Sequence, residues 1–158
     1  MSSFFEEYNK HVEERANQGI PPLALDVNQT TQVTELLAQG HEKSVELLEL
    51  LSQRVNPGVD PAAQVKADFL HKIATGEVSC NVIDKNTAVE LLGTMMGGYN
   101  LSALLHLLGS DDDNLSNLAG EQLKNMVLAF NEFENVKDLA EKGNSAAKSV
   151  IQSWADGQ

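Results

Sequence analysis

Asp60-Pro61-Ala62-Ala63-Gln64-Val65-Lys66-Ala67-Asp68-Phe69-Leu70-His71-Lys72-Ile73-Ala74-Thr75-Gly76 contains the start, the body and the end of one helix. Asp60 is a capping residue, and Pro61 stands at the first helical position, where its missing N–H costs nothing. Val65, Phe69, Leu70 and Ile73 recur at three- and four-residue intervals, which puts them on one buried stripe. Gly76 closes the segment. The spacing therefore predicts a helix over 61–75, and the same grammar repeats in both directions along the chain.

Upstream, Ser3 with Glu6 three residues on forms a capping-box pattern for a first helix running to Gln18 and stopping at Gly19. Ile20-Pro21-Pro22-Leu23 reads as an extended connector, because proline removes donors and disfavours helix before itself. A second helix is expected from near Asn28 to Gln39, with Val33, Leu36 and Leu37 inward and Gly40 at its end. A third spans roughly Glu42 to Val55. Its residues Val45, Leu47, Leu48, Leu50 and Leu51 make an apolar face too wide for a surface helix with one neighbour, so both flanks are expected to be covered. Asn56-Pro57-Gly58 is a turn.

Downstream, Glu77 to Ile83 is irregular. Asp84 or Asn86 caps a fifth helix carrying Ala88, Val89, Leu91, Leu92, Met95 and Met96. Gly97-Gly98 breaks it, and Asn100 is positioned to cap a sixth helix over Leu101 to Leu108. The acidic run Asp111-Asp112-Asp113 complements the N-terminal dipole of a seventh, about Leu115 to Asn131. An eighth covers Phe133 to Lys142. After Gly143-Asn144, the last runs from Ser145 to Ala155 with Val150, Ile151 and Trp154 inward.

Nine helices with short connectors and no run of strict alternation define an all-α chain, expected to be a short α-solenoid of antiparallel hairpins occupying residues 1–158 as a single domain. The helix-pair spacing of about 35 to 45 residues falls in the range of HEAT-type repeats. At 158 residues one core suffices, and folding should bury about 68–70% of the unfolded chain's surface.

The formal net charge of −12, from 23 acidic against 11 basic side chains, repels phosphate backbones and anionic lipid. The charge argues against generic nucleic-acid or membrane binding. With Cys80 as the single cysteine, no internal disulfide and no multi-cysteine metal or iron–sulfur site can form within the chain. The opening Met1-Ser2-Ser3-Phe4-Phe5-Glu6-Glu7 turns acidic at once and lacks the apolar core of a signal peptide. No window approaches a membrane span, and a cytoplasmic location is the expectation.

His11, His41, His71 and His106 are scattered, and no two have the three- or four-residue spacing that builds a metal site on one helix. They read as surface or half-buried structural residues. Cys80, in Val78-Ser79-Cys80-Asn81-Val82, has no visible base to activate it. The run Asp111 to Asp113 lacks the spaced ligands and distal glutamate of a calcium loop and reads as a solvated helix start. The most distinctive local string is Met95-Met96-Gly97-Gly98-Tyr99-Asn100. Two glycines between apolar helices permit a tight turn and close backbone approach, and the remaining reading is a contact surface for a partner or another domain. As a phosphate cradle the string fails, having no strand before it and no Lys-Ser/Thr after it.

Several strings together resemble one family. Tyr8-Asn9-Lys10-His11-Val12-Glu13-Glu14-Arg15-Ala16 with Gln18-Gly19-Ile20 is similar to the opening of bacterial aconitase B, and Arg54-Val55-Asn56-Pro57-Gly58-Val59-Asp60 and Val65-Lys66-Ala67-Asp68-Phe69-Leu70 follow in the family's order. The most specific match is Ala88-Val89-Glu90-Leu91-Leu92-Gly93-Thr94-Met95-Met96-Gly97-Gly98-Tyr99-Asn100. Gln152-Ser153-Trp154-Ala155-Asp156 resembles the exit from that family's N-terminal HEAT-like domain.

The resemblance implies a HEAT-like fold and a non-catalytic role: packing against the catalytic body, shaping the passage to its active site, protein–protein contact and homodimerisation. It also implies that the complete family enzyme is an aconitate hydratase of the TCA cycle, interconverting citrate and isocitrate through a [4Fe–4S] cluster held by cysteines in catalytic domains. None of those domains lies within these 158 residues, so the resemblance places no catalytic, cofactor or metal residue in this chain. The expected function is a helical-repeat interaction or dimerisation module, docking a protein partner, the catalytic domains or a second copy. One alternative is a fragment whose meaning is aconitate hydratase activity. A weaker one, from family behaviour alone, is an RNA-binding regulator.

Overall fold

The computed structural model describes residues 3–56, 60–95, 99–126 and 132–156. These residues form α1 (Ser3–Asn17), α2 (Val27–Gln39), α3 (Ser44–Gln53), α4 (Pro61–Thr75), α5 (Lys85–Thr94), α6 (Tyr99–Leu108), α7 (Asp113–Lys124), α8 (Phe133–Glu141) and α9 (Ser145–Asp156). No strand occurs among the described residues.

Four aspartates set helix starts by accepting backbone N–H groups that a helix cannot pair internally. Asp26 makes a full capping box: its Oδ1 accepts from the Gln29 N–H at 2.7 Å, and the Gln29 Oε1 accepts from the Asp26 N–H at 3.0 Å. This starts α2 one residue before the expected Asn28. Asp60 accepts from the Ala62 N–H at 2.9 Å and Asp84 from the Thr87 N–H at 2.7 Å. That bond holds the Asp84 carboxyl below the usual carboxylate range, since it favours the ionised form. Asp112 accepts from the N–H groups of Asn114 and Leu115 at 3.0 and 3.2 Å, so the acidic run is the cap and first turn of α7. Gly40 and Gly76 end α2 and α4 with φ of 80° and 87°, a backbone conformation that a side chain opposes.

The helices stack as pairs: α2 with α3, α4 with α5, α6 with α7 and α8 with α9. Between pairs, α2, α4 and α6 lie side by side in one layer, and α5, α7 and α9 in another. One continuous apolar core runs from Phe4 through Leu47, Leu70, Leu104 and Leu123 to Trp154. Burial of this face, not helix propensity, is what holds segments of ten to fifteen residues helical.

One expectation fails on packing. Leu47 and Leu51 are fully buried and Leu48 and Leu50 pack half-buried against the core, but Val45 of α3 is 71% exposed; α2 is the main helical neighbour of α3 and leaves that flank open. Leu36 is half-buried against the core, beside the buried Val33 and Leu37. The expected Pro57-Gly58 turn and the Ser3 side-chain cap lie outside the described residues, whereas the seventh helix, expected to run to about Asn131, stops at Lys124 with Asn125 as its C-cap.

Candidate functional site

The string Met95 to Asn100 divides on inspection. Met96, Gly97 and Gly98 lie outside the described residues. Met95 ends α5 and Tyr99 opens α6, both half-buried. Asn100 is only 1% exposed. Its Nδ2 donates to the carbonyls of Leu92 at 2.9 Å and Met95 at 3.0 Å at the end of α5, where the Leu92 carbonyl also accepts the Met95 N–H at 3.3 Å. The expected N-cap role for α6 is therefore wrong. That helix begins at Tyr99, so Asn100 lies inside its first turn, and its side chain serves the C-terminus of the preceding helix. Being buried, Asn100 positions the turn and presents nothing to a partner. Its Oδ1 has no hydrogen-bond partner.

A second feature, not anticipated from the sequence, is a groove between α1 and α3. It encloses about 460 Å³, floored by Phe5, Tyr8, Val12 and Leu50 and walled by Glu46 and Glu49. The groove is shaped by the connector after α1. Arg15 Nε donates to the Pro21 carbonyl at 2.9 Å, Arg54 Nη2 to the Pro22 carbonyl at 2.6 Å, and the Leu23 N–H to His11 Nε2 at 3.0 Å. The Leu25 N–H donates to the Arg54 carbonyl at 2.8 Å. The extended proline segment is thereby pinned to both flanking helices. Lys43 places its Nζ 4.7 Å from the centre of the Phe5 ring at the groove's edge, a cation–π contact.

The histidines are used structurally in two cases and paired in the third. His11 holds the connector. His41 Nδ1 accepts from the Lys43 N–H at 3.0 Å ahead of α3. His71 of α4 and His106 of α6 are brought together, with Nε2 of the first 2.8 Å from Nδ1 of the second. Burial, and then the neighbouring His106, lower the His71 pKa. The two are 35 residues apart in sequence, within the helix-pair spacing expected above, and lie on neighbouring helices of one layer.

Cys80 is half-buried and packed against the core. Among the described residues no group of three or more His, Cys, Asp or Glu side chains is arranged to hold a metal ion. One cysteine in the chain cannot supply the thiolates of an iron–sulfur cluster, so these residues do not fit the cluster that the resemblance assigns to the complete enzyme. Among the described residues no helix is long and apolar enough to cross a membrane, and an ion pair joins Lys124 to Glu121 at 2.8 Å.

Comparison with known proteins places this architecture. The family model described as the aconitate B N-terminal domain matches residues 7–158. The chain is 54% identical over 156 residues to aconitate hydratase B of Pseudomonas aeruginosa and 48% identical over 156 residues to that of Escherichia coli K12, covering 97% of this chain and 18% of the relative in each case. To the Helicobacter pylori J99 protein of the same name it is 39% identical over 158 residues, 100% of this chain and 18% of the relative. The chain thus spans about a fifth of the length of these curated relatives. With the match running through every described helix, the chain belongs to the aconitate B N-terminal domain family.

Proposed function

We propose that this chain is a non-catalytic, HEAT-like docking and dimerisation module of the aconitate hydratase B type, seated in the cytoplasm. The single observation that carries the reading is coverage. A family described as an N-terminal domain accounts for residues 7–158, while the relatives bearing the hydratase name are matched over only 18% of their length. Their chemistry then resides in the remainder, and a stack of helix pairs offers what such a remainder or a second copy would need, an extended helical face. In a protein that contains the remainder, the module would serve aconitate hydration by packing against the catalytic body.

Two measurements test this. Light scattering on the eluted protein should show a dimer, or the chain should bind the separately produced remainder of an aconitate hydratase B with a defined stoichiometry. A strict monomer that leaves the remainder unbound, or a purified chain that interconverts citrate and isocitrate unaided, overturns the reading.

A further inference from the structure

We propose that His71 and His106 form a proton-limited latch between α4 and α6, a pair that accepts one added proton and is broken by the second. The geometry imposes the limit. His71 Nε2 and His106 Nδ1 are 2.8 Å apart, a hydrogen-bond separation with room for one hydrogen between the two nitrogens. In the neutral pair one imidazole donates and the other accepts. The first added proton goes to a ring nitrogen outside the contact, leaves the central hydrogen in place, and turns the bond into a charge-assisted one. The second must go to the accepting nitrogen itself. It sets N–H against N–H and two cations with ring centres 4.8 Å apart, so the rings separate.

The surroundings supply water to the pair but no built counter-ion. His106 is exposed and His71 half-buried, so protons reach both rings. The anions acting on His71 are Glu77, just beyond the end of α4, and Asp68, one turn earlier on it; both are exposed and screened by salt. Of the other charged side chains on the packed helices, Lys85 of α5 lies at the C-terminus of α4, where its Nζ would be 3.4 Å from a Cβ on Gly76. Glu121 of α7 is occupied by Lys124. Glu35 on α2, Lys66, which is buried, and Lys72 on α4, Glu90 on α5 and Asp113 on α7 complete the set. The latch therefore acts on the layer formed by α2, α4 and α6, at the seam between two successive helix pairs. Acidification changes that seam in two steps, tightening and then release, independently of what docks on the array.

Imidazole nitrogen NMR on the intact 158-residue protein tests the latch. A through-hydrogen-bond nitrogen–nitrogen coupling between the two rings is expected in the neutral and singly protonated pair, and its loss with the second proton. Amide exchange at the α4–α6 seam should accelerate at that second step, while exchange in α9 does not. Replacing His106 by Gln should give His71 one titration at higher pH than the second wild-type step, because the neighbouring charge is gone. Two rings that titrate independently, with no coupling at any pH, overturn the proposal even if the variants fail to fold. Seam amides that exchange identically through the doubly protonated state also overturn it.

Discussion

Gly93 on α5 and Gln122 on α7 are packed so closely that a Cβ added to Gly93 would stand 1.9 Å from the Gln122 Oε1 and 2.8 Å from its Cγ. Glycine is there because a glutamine side chain crosses the space a methyl would fill. The contact joins two neighbouring helices of one layer, so it bears on the stacking of successive pairs.

Gly93→Ala should accordingly be destabilising alone and stabilising once Gln122 is trimmed. In an open helical site the exchange gains up to about 1 kcal/mol from propensity; here Gln122 must swing out of its place first. In a Gln122→Ala background the substitution should raise stability by about 0.5 kcal/mol, giving a coupling in the range of about 0.5–3 kcal/mol typical of touching residues. Urea denaturation of the four proteins in the cycle measures it. Additive effects would mean the two side chains do not compete.

Asn100 is a buried polar tie from α6 to the end of α5. Asn100→Leu removes the side-chain donor to the Leu92 and Met95 carbonyls, leaving Leu92 the Met95 N–H alone, at an expected cost of about 1–3 kcal/mol. Asn100→Asp should cost more at neutral pH, because an ionised carboxylate has nothing to donate. Thermal unfolding of both variants gives the order, and an aspartate variant as stable as wild type would show that the two bonds contribute nothing.

Arg54→Ala should loosen one segment, not the whole fold. The guanidinium bond to the Pro22 carbonyl fastens the connector from outside α1, so its loss should open residues 20–25 to proteolysis while lowering global stability by only about 1 kcal/mol. Limited digestion with mapped cleavage sites distinguishes local from global opening. Cleavage rates that rise everywhere in proportion to the loss of global stability would assign Arg54 no local role.

The local grammar of the helices was legible because it is written in short range. Asp60, Pro61 and Gly76 mark the ends of α4 through bonds and dihedrals that depend on a few adjacent residues. What escaped depends on neighbours remote in sequence. The exposure of Val45 follows from how many helices flank α3, which its own periodicity cannot state. Asn100 has a side chain suited to an N-cap, and only the position of the α5 carbonyls shows it facing backward. The His71–His106 contact and the α1–α3 groove are likewise products of stacking. The approximate helix-pair spacing held the first as a hint, and nothing local held the second. Homology reached further than pattern for the family, since ordered strings across the chain identify what capping rules do not.

Lys66 gives the sharpest electrostatic prediction. It is 5% exposed on α4, and its Nζ has one long bond, 3.4 Å to the Ser52 carbonyl. Burial lowers its pKa from the ordinary 10.5, because the charged form loses hydration that one carbonyl does not replace. The sign follows from proton counting. Between the folded-state value and 10.5 the unfolded chain binds more protons, so stability rises with pH across that window. At pH below the folded-state value the ammonium is charged in both states and the burial cost is fully present. Lys66→Met keeps the apolar stem and removes the charge, so it should equal or exceed wild type in stability at neutral pH. The advantage should shrink as pH climbs through the window toward 10.5. Denaturation midpoints for the two proteins at neutral pH and near 10.5 measure the difference, with all other titrations cancelling. A methionine variant less stable by the same amount at both would mean that the bond to Ser52 outweighs the lost hydration, and that Lys66 is a support of the α3–α4 packing.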